Sequence, residues 1–156
     1  MTDHLDLADL AEDPRRQRMV NAAWAVYERG AQDAYSQARP SQLLSRALPL
    51  RLAAKRISRA DCSGLVALAC HRARIRPDID WRYTNTWTQL ATFRREVPLV
   101  RATVGDLVFY GPAPGNPTHV AILLRDGRVL SNGHHPMGVY PITYRPDLIH
   151  IRSLIA

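Results

Sequence analysis

Cysteine is scarce in this sequence, long apolar runs are missing, and the chain does not open on an export signal. Two cysteines, Cys62 and Cys70, are too few for a disulfide framework. They stand eight residues apart on what reads as one helix. That is a rise of about 12 Å, whereas a disulfide needs Cα atoms within about 7 Å, so both read as free thiols. No segment approaches the roughly 18 apolar residues of a spanning helix, and no membrane insertion is expected. The opening MTDHLDLADLAEDPRRQR is acidic and then basic, without the apolar block of a secretory signal. Synthesis in the cytoplasm is expected, with any action outside the cell depending on release or delivery by other means. Zinc-ligand spacing, a phosphate loop, a helix-turn-helix pattern and internal repeats are all missing. The expectation is therefore no metal, no cofactor and no nucleic-acid partner.

What is present fits one α+β domain. The chain has 156 residues, 46% of them hydrophobic and 22% charged, enough to bury a core without staples. Twenty-one basic residues, mostly arginine, outnumber 14 acidic ones, giving +7 and a pI near 10.1. That balance favours polyanionic surroundings. Arg15, Arg16 and Arg18 read as a solvated helix face. Arg72, Arg74 and Arg76 read the same way, or together with Arg94 and Arg95 as a basic rim. Trp81, Tyr83 and Trp87 read as core or cleft wall.

Asp13-Pro14 resembles a cap with proline at the first helical position. Met19, Ala23, Val26, Tyr27 and Gly30 then recur at helical spacing, predicting a helix from about 14 to 33. A second helix starts at Asp61 in DCSGLVALACHRARI. The period then changes. DLVFYG, HVAILL and RVLSNG are short strand-like runs, with Asp126-Gly127 as a hairpin turn between the last two. YPITYR and DLIHIRSLI supply two further strand candidates. Helices followed by a strand meander predict helices packed on an antiparallel sheet.

Cys62 falls in the first turn of its helix, behind Asp61, where unpaired N–H groups and the helix dipole favour a thiolate. Ser63-Gly64 allows close backbone approach, as a main-chain oxyanion site requires. Cys70, two turns further in, reads as an inert core thiol. Of the histidines, His119 opens an apolar strand, where an imidazole can face a cleft. Counting across the hairpin puts Ser131 or Asn132 opposite His119, and Asn132 is chosen on its chemistry to orient that ring, making a Cys-His-Asn arrangement. His134 is the alternative third member. The pair His134-His135 lacks a third ligand, which argues against a metal.

DCSGLV at 61–66, VGDLVFYG at 104–111 and HVAILLRDGRVLSNG at 119–133 resemble, in order, the signature blocks of the NlpC-type cell-wall cysteine peptidases. His119 lies 57 residues after Cys62, as in that family. RYTNTWTQLATF at 82–93 is similar to the family's intervening segment. The resemblance implies a papain-like single domain, with residues 1–34 as an N-terminal helical extension and 35–156 as the peptidase core. It implies Cys62 as nucleophile and His119 as base. It also implies substrate binding by Asp61, Ser63 and a tyrosine, for which Tyr35 is the candidate. Three departures stand out: no glycine-rich stretch precedes the cysteine, Val104 replaces the usual proline, and Asn132 replaces the commoner histidine. The implied activity is a monomeric peptidoglycan hydrolase cutting stem peptides or cross-bridges, such as a phage endolysin. An interbacterial toxin, an amidase or acyltransferase on another substrate, and an inactive wall-binding or tail-assembly module are the alternatives. On this reading the +7 draws the protein to an anionic cell envelope.

Overall fold

Asp13 caps the first helix as its sequence predicts. Its carboxylate accepts from the Arg15 N–H at 2.8 Å, and its carbonyl accepts from Gln17 at 3.1 Å. A computed structural model describes residues 13–28, 62–81, 84–132 and 137–155. Within them, helix α1 is Pro14–Glu28, α2 is Cys62–Ala73 and α3 is Thr86–Thr92. The predicted extension of α1 to 33 lies outside the described residues. Strands β1 (Leu107–Tyr110), β2 (His119–Leu123), β3 (Arg128–Ser131), β4 (Gly138–Pro141) and β5 (Leu148–Arg152) form one sheet in the order β4-β3-β2-β1-β5. Every pairing in it is antiparallel. The fold is thus the expected α+β arrangement of helices against an antiparallel sheet.

Both faces of the central strands are covered, which explains why β1 and β2 read as near-continuous apolar runs. Leu107 and Phe109 of β1, with Val120 and Ile122 of β2, face α1 and α2. Val108, Tyr110, Ala121 and Leu123 line the opposite face with Val129, Ile142 and Ile151. The β2–β3 turn is the predicted one: Asp126 and Gly127 have φ of 60° and 66°, the left-handed pair that a tight hairpin favours. The segment YPITYR departs from expectation. Only its first two residues lie in β4, and Ile142–Tyr144 forms a 3₁₀ turn.

Arg16 corrects the reading of a fully solvated face on α1. Its guanidinium pairs with Asp106, whose side chain is 1% exposed, and its second terminal nitrogen donates to Ser153 Oγ at 2.6 Å. Gly105 makes room for this. Its φ is +92°, and a Cβ there would stand 3.0 Å from the Arg16 Cβ. Helical spacing shows which way Arg16 points only when the partner surface is known, and that surface comes from a carboxylate 90 residues later.

Candidate active site

Two helix starts meet at Cys62, and His119 opens the strand on which the Cys62 helix packs. Cys62 is the first residue of α2 and is 6% exposed. The N–H groups of a first helical turn have no intrahelical acceptors, so a negative sulfur there is favoured. Its Sγ lies 3.8 Å from Thr86 Oγ1, at the first residue of α3. Asn85 fixes that second helix start by a reciprocal capping box: Thr88 N–H donates to Asn85 Oδ1 at 3.0 Å, and Asn85 N–H donates to Thr88 Oγ1 at 2.8 Å. One turn on, fully buried Gln89 donates to the Ser63 carbonyl at 2.9 Å and to Thr84 Oγ1 at 3.2 Å. The amide of Gln89 thus locks α3 to the first turn of α2.

His119 begins β2 and is 5% exposed. Its Nε2 lies 2.8 Å from Ser131 Oγ and 2.9 Å from Tyr144 OH, and these two hydroxyls are 2.8 Å apart. Tyr144 is itself held in place. Its ring stacks on Tyr140 at 5.0 Å, and Tyr110 meets it edge-on at 5.7 Å. Tyr110 OH donates to the Ile142 carbonyl at 2.8 Å, pinning the 3₁₀ turn. Arg145 lies over the Tyr110 ring, 5.4 Å from its centre, and pairs with Asp147 at 2.7 Å.

Electrostatics tie the sulfur to this network. Burial pushes the Tyr144 hydroxyl's pKa up, the Ser131 hydrogen bond and the Arg145 charge lower it, and charge on Cys62 raises it again. Charge on Cys62 also adds, after the dominant Asp147 hydrogen bond, to the upward shift of Arg145. Cys70 is different. Fully buried, it has its thiol pushed far above the ordinary value by desolvation, the inert core thiol its position predicts. Both cysteines are free.

The sequence pointed to Asn132 as the partner of the imidazole, and the oxygen at His119 Nε2 belongs to its neighbour, Ser131. Sheet alternation is the reason. β2 and β3 pair Ile122 with Leu130 and Leu123 with Val129, and β1 pairs Tyr110 with His119. Val129 and Tyr110 lie on the face away from the helices. Period-two alternation therefore gives His119 and Ser131 that face, and one further step carries Asn132 to the other. Asn132 is buried at 2% exposure beyond the end of β3. The hairpin turn was a sufficient signal for this register. Nothing in the sequence announced Tyr144, because its segment reads as a strand. Ser63 is 2% exposed, with its carbonyl engaged by Gln89. Tyr35, Asp61, Tyr83 and His134 lie outside the described residues. Trp81 is buried, while Trp87, beside Thr86, is 57% exposed. Among the described residues no group of three or more His, Cys, Asp or Glu side chains is placed to hold a metal ion, and no helix is long and apolar enough to cross a membrane.

Comparison with known proteins places this geometry in a family. A staphylococcal protein described as similar to a lipoprotein of the NLP/P60 family, from Staphylococcus aureus, shares the fold at TM-score 0.59 and 22% identity, over 94% of this chain and 43% of that one. This chain therefore spans less than half the length of that relative. The peptidoglycan hydrolase RipB of Mycobacterium tuberculosis matches at TM-score 0.56 and 21% identity, over 99% of this chain and 77% of RipB. RipD of the same organism, a non-catalytic domain adapted to peptidoglycan binding, matches at TM-score 0.53 and 19% identity, over 86% and 98%. No match emerges among functionally curated proteins. The profile of the NlpC/P60 family matches residues 47–145, and on that match over most of its length the chain belongs to the NlpC/P60 family.

Proposed function

We propose that the protein is a cysteine peptidase that hydrolyses an amide bond in the stem peptides or cross-bridges of peptidoglycan. The observation that carries this is the clamp of two hydroxyls on His119 Nε2, together with Cys62 at the start of α2. With Nε2 held, Nδ1 is the atom that exchanges a proton with Cys62. The thiolate attacks the amide carbonyl, and the oxyanion is met by the Cys62 backbone N–H and a second donor. His119 then returns the proton to the departing amine, and water, deprotonated by the same ring, releases the acyl group from sulfur. The Gln89 amide is engaged by Ser63 and Thr84, so its part is to hold the start of α2. In this reading Ser131 takes the orienting place that the sequence suggested for Asn132, and Tyr144 shares it. Asp61, Tyr35 and Ser63 remain proposed substrate contacts. The setting is a lytic enzyme, such as a phage endolysin, reaching the wall after release or delivery.

The direct test is digestion of purified sacculi of several cross-link chemistries, read by fragment mass and by new amino termini. Amino termini at one stem or bridge position are expected. Sacculi that bind the protein but release nothing would mean a non-catalytic wall-binding role instead.

The orienting pair has its own signature. A charged imidazole's hydrogen bond is worth roughly 1.5–3 kcal/mol, and each 1.4 kcal/mol is a factor of ten in rate. Ser131→Ala and Tyr144→Phe should each lower kcat on a soluble muropeptide by about tenfold, since either hydroxyl partly covers for the other. The double variant should lose about a hundredfold or more. A larger loss in Asn132→Ala than in the double variant would return the orienting role to Asn132.

A further inference from the structure

At the end of α2 remote from Cys62, the chain gathers positive charge from three separate segments. Arg15, Arg74, Arg76, Arg94 and Arg95 line one cleft of about 710 Å³. Ile75 and Phe93 form part of its apolar lining. Arg15 is paired with Asp13 at 3.1 Å and Arg76 with Asp78 at 2.8 Å. Among the described residues no carboxylate pairs with Arg74, Arg94 or Arg95, and all three are exposed. Three guanidinium groups without a counter-charge, converging on one cleft, make a surface complementary to a row of anions.

The backbone adds a second observation. α2 ends in a Schellman turn: Ile75 N–H donates to the Cys70 carbonyl at 3.0 Å, and Arg74 N–H to that of His71 at 3.2 Å. The turn requires a left-handed residue at its second-last position, which is normally glycine. Here it is Arg74, with φ 57°, and Arg76 follows at φ 46°. Side chains are unfavourable in that region. Two arginines in one short turn thus break a local rule that glycine would satisfy, and both project into the cleft. Backbone strain of this kind is concentrated at functional surfaces.

We propose that this cleft binds the phosphodiester backbone of an anionic wall polymer, holding the protein on its substrate through contacts separate from the catalytic ones. The choice of a wall polymer over other polyanions rests on the function proposed above. The twelve-residue helix between Cys62 and Ala73 puts the cleft about 18 Å from the sulfur, far enough for both ends to be occupied at once. Arginine suits this role because its planar fork grips phosphate oxygens in pairs, and the apolar floor accommodates the carbon skeleton between phosphates.

The test uses the whole chain and purified poly(glycerol phosphate) as probe, with duplex DNA at matched phosphate concentration as a second arm. Arg94→Gln/Arg95→Gln should bind the polymer about tenfold more weakly near 0.1 M salt. Its log–log salt slope should fall by roughly 0.7–0.9 per arginine removed. Arg74→Gly is the sharper variant. It relieves the left-handed strain, so its thermal midpoint should be unchanged or higher while polymer affinity falls. Hydrolysis of soluble muropeptides should be unaffected in both variants, and digestion of polymer-bearing sacculi should slow. Unchanged polymer affinity in the variants overturns the inference. So does DNA binding through the same arginines that equals or exceeds polymer binding. Arginine-dependent polymer binding by a protein that cuts no sacculus overturns the proposed peptidase and leaves the cleft standing.

Discussion

Cys62→Ala should abolish release of fragments from sacculi, with a rate loss on the order of 10⁴-fold or more. The fold should hardly notice the change. The substitution removes a single sulfur, which lies 3.8 Å from Thr86 Oγ1, so the stability cost should be about 1 kcal/mol. A near-wild-type melting transition with no activity is the expected pair of results. Substantial residual cleavage would remove Cys62 from the chemistry. The two thiols supply an internal control. Cys70 is fully buried and its ionisation is opposed by desolvation, whereas Cys62 begins a helix and retains some exposure. A small alkylating reagent should mark Cys62 well before Cys70 in the folded protein. Equal labelling rates would contradict an activated sulfur.

The largest stability effect is expected at Asp106. Its carboxylate is 1% exposed, pairs with Arg16, and accepts from the Thr103 N–H at 2.9 Å. The Asp106 carbonyl accepts from Leu123 at 2.8 Å. Arg16 in turn donates to Ser153 Oγ, so the ion pair joins α1, the turn before β1 and the C-terminal segment. Removing one partner of a buried pair costs about 3–5 kcal/mol, because the other charge is left uncompensated. Out of a total of roughly 5–15 kcal/mol, Asp106→Ala or Arg16→Ala should lower the melting midpoint by about 10 °C or more. Replacing both with apolar residues of similar volume should recover much of that loss. A single variant that melts with the wild type would mean that the pair does not hold these segments together.

Arg16 also shows where sequence reading stops. The Asp13-Pro14 cap, the span of α2, four strands and the Asp126-Gly127 turn follow from local rules, and the structure carries all of them. The side on which Arg16 lies does not follow, because its partner arrives from a turn far along the chain. The candidate site divides the same way. Cys62 at a helix start and His119 at a strand start are local placements. The oxygen at the ring depends on cross-strand register, where an error of one residue exchanges Ser131 for Asn132. Tyr144 depends on a 3₁₀ turn inside a segment whose alternation resembles a strand, and on Tyr110 of β1 tethering that turn on the same face of the sheet.

The meander has a consequence for how the protein folds. His119, Ser131 and Tyr144 sit on neighbouring elements of the sheet, so forming two adjacent hairpins brings the imidazole and both hydroxyls together. The sulfur comes from a helix that precedes the sheet in the chain and is positioned by packing against β2 and α3. Closing the longer loop carries the greater entropic cost, and contacts of high sequence separation slow folding. Partial unfolding should therefore separate α2 from the sheet before it scatters the imidazole network. Mild denaturant should abolish the proposed Cys62-dependent cleavage while histidine resonances still report a native-like ring.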